Sequence, residues 1–199
     1  MRHRNLAILT IASLTLATGA FAQTSHWDID PAHSVVGFSV RHMMVSNVRG
    51  EFTKLTGSLE GTGNDVTTAK ISVTIDATSV NTREPKRDAH LSSPDFFDVA
   101  KYPTLTFVSK KVEKAGEGKL KVTGDLTIHG VTKEVVLDVE GPTPEMKDPW
   151  GGIRVGAHAT TAINRKDFGL LWNKTLEAGG VLVGDEVAIT IDVELVKTS

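Results

Sequence analysis

Lys70-Ile71-Ser72-Val73-Thr74-Ile75-Asp76 alternates polar and apolar residues one by one. Near the other end of the chain, Val187, Ile189, Ile191, Val193 and Leu195 alternate in the same way with Glu186, Ala188, Thr190, Asp192 and Glu194. A period of two is that of a strand with one dry and one wet face. The same pattern places strands at 33–42, 48–60, 69–76, 104–111, 118–129, 132–141, 152–163 and 185–196. Function must therefore be sought in what the dry faces enclose.

Gly61-Thr62-Gly63-Asn64, Gly116-Glu117-Gly118 and His129-Gly130 supply tight-turn residues between these runs. Consecutive antiparallel strands in one domain follow, and a sheet of this size must close or fold over to hide its edges. Eight strands with mostly short connections suit an up-and-down barrel, whose interior either fills with side chains or holds one small ligand. A sandwich is the alternative. Runs of ten or more residues exceed the ~17–20 Å usual for strands and favour a tall barrel.

Two connections are longer than turns. Residues 77–103 are rich in charge and proline, contain a helical turn at 83–91 and become apolar at Phe96-Phe97. Residues 165–184 carry Phe168, Leu170, Leu171, Trp172 and Leu176 at spacings that predict a short amphipathic helix before Gly179-Gly180. Loops of this length usually cover something or act on something. Both are expected to cap or line the barrel mouth.

The N-terminus has the marks of an export signal. Arg2, His3 and Arg4 precede an apolar run from Leu6 to Leu16, and Ala20-Phe21-Ala22 forms an A-x-A cleavage site. The run is too short for a membrane anchor. Cleavage divides the chain into a signal peptide, 1–22, and a domain, 23–199, with no later segment apolar enough to cross a membrane. The domain carries 20 basic residues, once Arg2 and Arg4 are removed from 22, against 24 acidic ones. This balance argues against a nucleic-acid partner. Cysteine is absent, which excludes disulfides, zinc-thiolate clusters and a cysteine nucleophile.

Parity in the first strand puts Val36, Phe38, Val40 and His42 on one, inward, face. Six histidines follow the leader, but none has metal-ligand spacing, and His129 and His158 fall on outward positions. No metal site is expected. There is no G-x-S-x-G elbow, and Ser34 beside His33 lacks a third orienting group. Arg83, Lys86 and Arg87, with Asp88 and His90, form the one local concentration of positive charge. It reads either as a solvated loop face or as an anionic head-group site. Gly124, Ala157 and Ala159 stand among the large inward residues and leave room for a cavity or for close packing.

Six stretches in order then become significant together. They are Asp30-Pro31-Ala32-His33-Ser34 leading to Phe38 and His42, Arg87-Asp88-Ala89-His90-Leu91, Phe96-Phe97-Asp98, Lys101-Tyr102-Pro103-Thr104, Gly124 to Thr132, and Asn164 to Gly169. The chain resembles the YceI-like family over nearly all of the domain. The resemblance implies an extended, lipocalin-like, eight-stranded antiparallel barrel that encloses a long isoprenoid or similar amphiphile, usually in the bacterial periplasm. It implies a binding or carrier protein with no established reaction.

On this reading the apolar tunnel is lined by Phe38, Val40, His42, Phe52, Ile71, Val73, Phe107, Leu126, Val135 and Ile153, with Phe168, Leu171 and Trp172 near an entrance. Arg83, Arg87 and His90 are the head-group candidates, and no residue is assigned a catalytic role. The ligand is a polyprenyl lipid, such as a polyprenyl phosphate, or a quinone; no cofactor is required, and a homodimer is compatible with the reading. Two alternatives stay open: an isomerase or hydrolase using His42 with a nearby carboxylate on a lipid inside the barrel, and an interaction module with a filled barrel.

Overall fold

The computed structural model describes residues 23–63, 65–177 and 179–199, so the signal peptide expected at 1–22 lies outside the described residues. Alternating residues form strands β1 (Thr24–Ile29), β2 (Val35–His42), β3 (Ser46–Phe52), β4 (Leu55–Thr62) and β5 (Asp65–Asp76). After the short β6 (Val80–Asn81) and helix α1 (Pro85–Ser92) come β7 (Thr104–Gly116), β8 (Lys119–Ile128) and β9 (Val131–Glu140). The short β10 (Met146–Lys147), β11 (Ile153–Asn164) and β12 (Val183–Lys197) complete the set.

All pairings are antiparallel, in the circular order β12, β1, β4, β5, β7, β8, β9, β11, and β11 returns to β12 to close the ring. Closure runs over eleven residue pairs, from Arg154↔Val196 to Asn164↔Glu186. The barrel has eight staves because β1 and β2 both pair with β12 and form one interrupted stave, and β3 with β4 form the next. Each run read from the sequence lies on one stave. The first stave, however, begins nine residues before 33, at Thr24, because the chain bends at 30–34 and resumes on the same neighbour.

The bend is built by Asp30-Pro31-Ala32-His33-Ser34. The Asp30 carboxylate accepts from the Ala32 N–H (2.9 Å), and the Asp30 N–H donates to the Glu194 carbonyl (2.9 Å). The Ser34 hydroxyl accepts from the Glu194 N–H (3.0 Å), which pins the far side of the bend to β12. This local hydrogen bonding is what Asp and Ser offer at turns.

The staves are long. β12 has 15 residues, about 50 Å at ~3.3 Å per residue. Both long connections lie at one end, termed the capped end. In the first, Pro85 begins α1, the Glu84 side chain caps it by accepting from the Lys86 N–H (3.2 Å), and Phe96 and Phe97 follow onto the core. The second carries its expected helical segment only as a 3₁₀ turn, Arg165–Phe168, ended by left-handed Gly169. Beyond it the described residues are irregular, with Thr175 bridged to Val181, instead of forming the longer amphipathic helix. The opposite, hairpin end holds the β4–β5 and β7–β8 turns and the segment 141–152.

Small inward residues do not simply leave holes. A Cβ added at Gly124 would lie 2.5 Å from Phe107 Cζ and 2.6 Å from the Val108 carbonyl, and one at Gly50 would lie 2.4 Å from Phe38 Cζ. The tips of the Phe107 and Phe38 rings therefore occupy the space over these glycines. Gly124→Ala is expected to destabilise the protein by about 1–3 kcal/mol through overpacking, read as a lower urea midpoint; an unchanged midpoint would contradict this packing.

Candidate functional site

Inward side chains of all eight staves surround a cavity of about 480 Å³. Its wall is apolar: Phe38 and Val40 from β2, Phe52 from β3, Ile71 and Val73 from β5, Phe107 from β7, Leu126 from β8 and Val135 from β9. Phe38, Ile71, Val73, Val135, Ile189 and Ile191 are only half-buried, although their faces point away from bulk water. They look onto space rather than onto other side chains. A volume of this size is within the ~300–1,000 Å³ of small-molecule sites.

The capped end is shut. Phe38 meets Phe52 at 5.8 Å between ring centroids, and Phe52 meets Phe97 at 5.5 Å. Phe96 packs against Trp172 (5.3 Å), and His90 stands edge-on to both, at 5.0 and 4.7 Å. Leu91, Phe96, Phe97 and Leu170 form this wall, and none is exposed. By contrast, the wall residues Gly63, Asp65, Pro142, Thr143 and Glu145 are exposed at the hairpin end. The cavity opens there, so the two long connections cap the barrel, as their length led one to expect, but they cap its closed end and do not line the mouth.

Arg165 is the charged group of that floor. It is 3% exposed, and its guanidinium donates to the carbonyls of Leu170, Trp172 (2.9 Å), Gly184 (2.8 Å) and Val183 (3.4 Å) and to Asp185 (3.4 Å). Burial pushes its pKa below the ordinary value. These partners engage the five N–H groups of an arginine, so Arg165 holds the 165–184 segment in place. Nothing in the spacing around it distinguishes it from a surface arginine; the signal lies in carbonyls that converge only on folding.

Among the expected tunnel residues, Phe38, Val40, Phe52, Ile71, Val73, Phe107, Leu126 and Val135 form the wall. His42 does not, which corrects the parity reading. β12 carries two extra residues between its pairings to Val40 and His42, so the inward row ends at Val40. Ile153 is displaced from the cavity and packs on Trp27, Val155 and Leu195. Phe168 is buried in the core behind the wall, Trp172 backs Phe96, and Leu171 is 65% exposed. Leu137, Val139, Ile189 and Ile191 also line the cavity, and the same alternation carries them.

The head-group candidates lie at the capped end and do not border the cavity. Arg87 is committed to the Thr82 hydroxyl (2.8 Å) and carbonyl (2.9 Å), and His90 to Asp95 (2.9 Å). Arg83 is exposed, in a left-handed conformation.

A second polar group lies outside the barrel. Arg154 on β11 donates to Asp30 (2.6 Å), Asp148 (2.7 Å) and Glu194, and His33 bonds Asp30 (2.9 Å). Asp30, His33 and Glu194 offer converging metal-ligand atoms within 4.8 Å of one another, but the Arg154 guanidinium bridges the two carboxylates. The cluster ties the first-stave bend to β12 and to the segment bordering the mouth.

Fold and cavity together define a class, the eight-stranded antiparallel barrel around an elongated apolar interior. The chain belongs to the YceI-like domain family, whose model matches residues 27–195. A UPF0312 protein of Staphylococcus aureus strain MSSA476 is 40% identical over 171 residues, 85% of this chain and 96% of the relative. The crystal structure of a Campylobacter jejuni YCEI protein matches with a TM-score of 0.68 at 35% identity, covering 80% of this chain and 90% of that one. BcnA of Burkholderia cenocepacia matches with a TM-score of 0.71 at 25% identity, covering 83% and 98%. A polyisoprenoid binding domain from Saccharophagus degradans shares the fold at 17% identity and a TM-score of 0.63, covering 86% and 98%.

The Arg154 cluster has a pH signature. The Arg154 hydrogen bond, then His33 and the Ala32 N–H, hold Asp30 far below its ordinary 3.8; the Asp30 hydrogen bond raises His33 above its ordinary 6.5. Ionised Asp30 contributes stability above pH 3.8, lost as pH falls through its lowered value; protonated His33 contributes below pH 6.5, lost as pH rises through its raised value. The stability lost in His33→Ala is therefore expected to be greatest between these values and to vanish in alkaline solution. Urea midpoints of both proteins across pH check this, and a deficit that grows with alkalinity would contradict it.

Proposed function

We propose that this chain is an exported binding or carrier protein that encloses a long isoprenoid, a quinone or a similar amphiphile within its barrel. The observation that carries the proposal is the cavity, whose wall is apolar from Phe38 to Val135 and several of whose inward side chains, Ile71, Val73 and Val135 among them, remain half-buried around space. Each methylene transferred from water into such a space is worth roughly 0.8 kcal/mol. About a dozen carbons then outweigh an association cost of at least ~4 kcal/mol. The Saccharophagus degradans neighbour, a polyisoprenoid binding domain, is consistent with this class of ligand, and the leader read at 1–22 supports a periplasmic setting.

Binding is favoured over chemistry on the same lipid. The charged wall residues are Asp65 and Glu145, exposed at the mouth, and Arg165, whose donors are engaged. His42, which an acid-base mechanism would need, is outside the wall.

Gentle purification followed by solvent extraction and mass spectrometry is expected to yield an isoprenoid or quinone in near-stoichiometric amount. Ala159, a small wall residue on β11, provides a block. Ala159→Phe is expected to reduce uptake of a fluorescent polyprenyl chain by delipidated protein at least about tenfold, on the order of 1.4 kcal/mol. A wild-type barrel that yields no lipid and refuses added lipid would contradict the proposal.

A further inference from the structure

We infer that the barrel admits its ligand tail-first through the hairpin end and selects chains with an uncharged oxygen head over the same chains ending in phosphate. The inference rests on the carrier reading and concerns the polar tip of the ligand. A chain lying in the cavity must leave its head at the open end, because Leu91, Phe96, Phe97 and Leu170 close the other.

The charged side chains that reach the wall at the mouth are both acids. Asp65 accepts from the Thr67 N–H (3.1 Å) and hydroxyl (2.9 Å), and these bonds lower its pKa, so it is ionised at neutral pH. Glu145 is paired with Lys197 (3.1 Å), and that ammonium also lies 5.2 Å from the centre of the Trp27 ring. Lys114 acts on Asp65 through its charge but is not part of the wall. A phosphate is held most strongly by cationic donors, whereas the charged side chains in the wall at this mouth are carboxylates, which repel it. Arg165 does not supply the missing donors, since it is at the floor with its N–H groups on backbone carbonyls. Arg83 and Arg87 are at the capped end, outside the wall.

Two hydroxyls at the mouth can hold an oxygen head of either kind, so the carboxylates make the discrimination. Ser25 Oγ accepts from the Trp27 indole N–H (3.3 Å), and Thr143 Oγ1 accepts from the Gly156 N–H (2.9 Å). Neither hydroxyl donates to a partner among the described residues. Both are free to donate to a neutral acceptor such as an alcohol or quinone oxygen.

The test is competition of a polyprenol, and of its monophosphate with the same chain, against a fluorescent polyprenyl probe on delipidated protein. The alcohol is expected to bind about tenfold more tightly or better. In the Asp65→Asn, Glu145→Gln double variant, the ratio of monophosphate to alcohol affinity is expected to rise about tenfold, and an unchanged ratio overturns the inference. Equal or tighter binding of the monophosphate to wild type overturns this inference and leaves the carrier reading standing. Binding of neither overturns both.

Discussion

The ladder between β11 and β12 is the interaction on which the rest depends. It joins the two ends of an otherwise open sheet, and closure removes the unpaired edges that a sheet of this size would present. Closure also commits every inward row to one shared interior. Eight staves of mostly Val, Ile, Leu and Phe then face each other across a space too wide for their side chains to fill. The half-burial of Ile71, Val73, Val135, Ile189 and Ile191 is the direct sign of that mismatch. Gly50 and Gly124 lessen it locally by letting the rings of Phe38 and Phe107 lie against the wall.

The two ends of the barrel have diverged. At the capped end, 77–103 and 165–176 lie over the core, and Arg165 gathers the carbonyls of Leu170, Trp172, Val183 and Gly184 so that an irregular segment is held in place with these polar atoms paired. At the hairpin end the segment 141–152 is held from outside, by Asp148 on Arg154 and Glu145 on Lys197. One end is a sealed apolar floor. The other is a polar rim whose wall charges are carboxylates, and an amphiphile fits this gradient in one direction only.

Much of this was legible in the sequence, and the exceptions have physical causes. Alternation located a strand on every stave and most of the wall, because one-residue parity maps onto the two faces of a sheet. It failed at His42, where β12 carries extra residues and the inward row ends early. It missed β1, whose inward positions Trp27 and Ile29 are too few to establish a period. The Asp30 to Ser34 stretch stood out by family resemblance, but its work in bending one stave depends on Glu194, far along the chain. Arg165 stood inside the Asn164 to Gly169 stretch of the family resemblance, but its role had no signal in the spacing, since its partners are backbone carbonyls. Which end opens was equally hidden: loop length marks the connections that fold over an end, not whether they seal it.

The most direct test of an apolar chain enclosed by the barrel is a crystal structure of the protein loaded with a long-chain alcohol brominated along its tail. The account predicts anomalous bromine density inside the ring, among Phe38, Val73, Phe107 and Val135. Bromine density confined to the outer surface, with the interior unchanged, would contradict it.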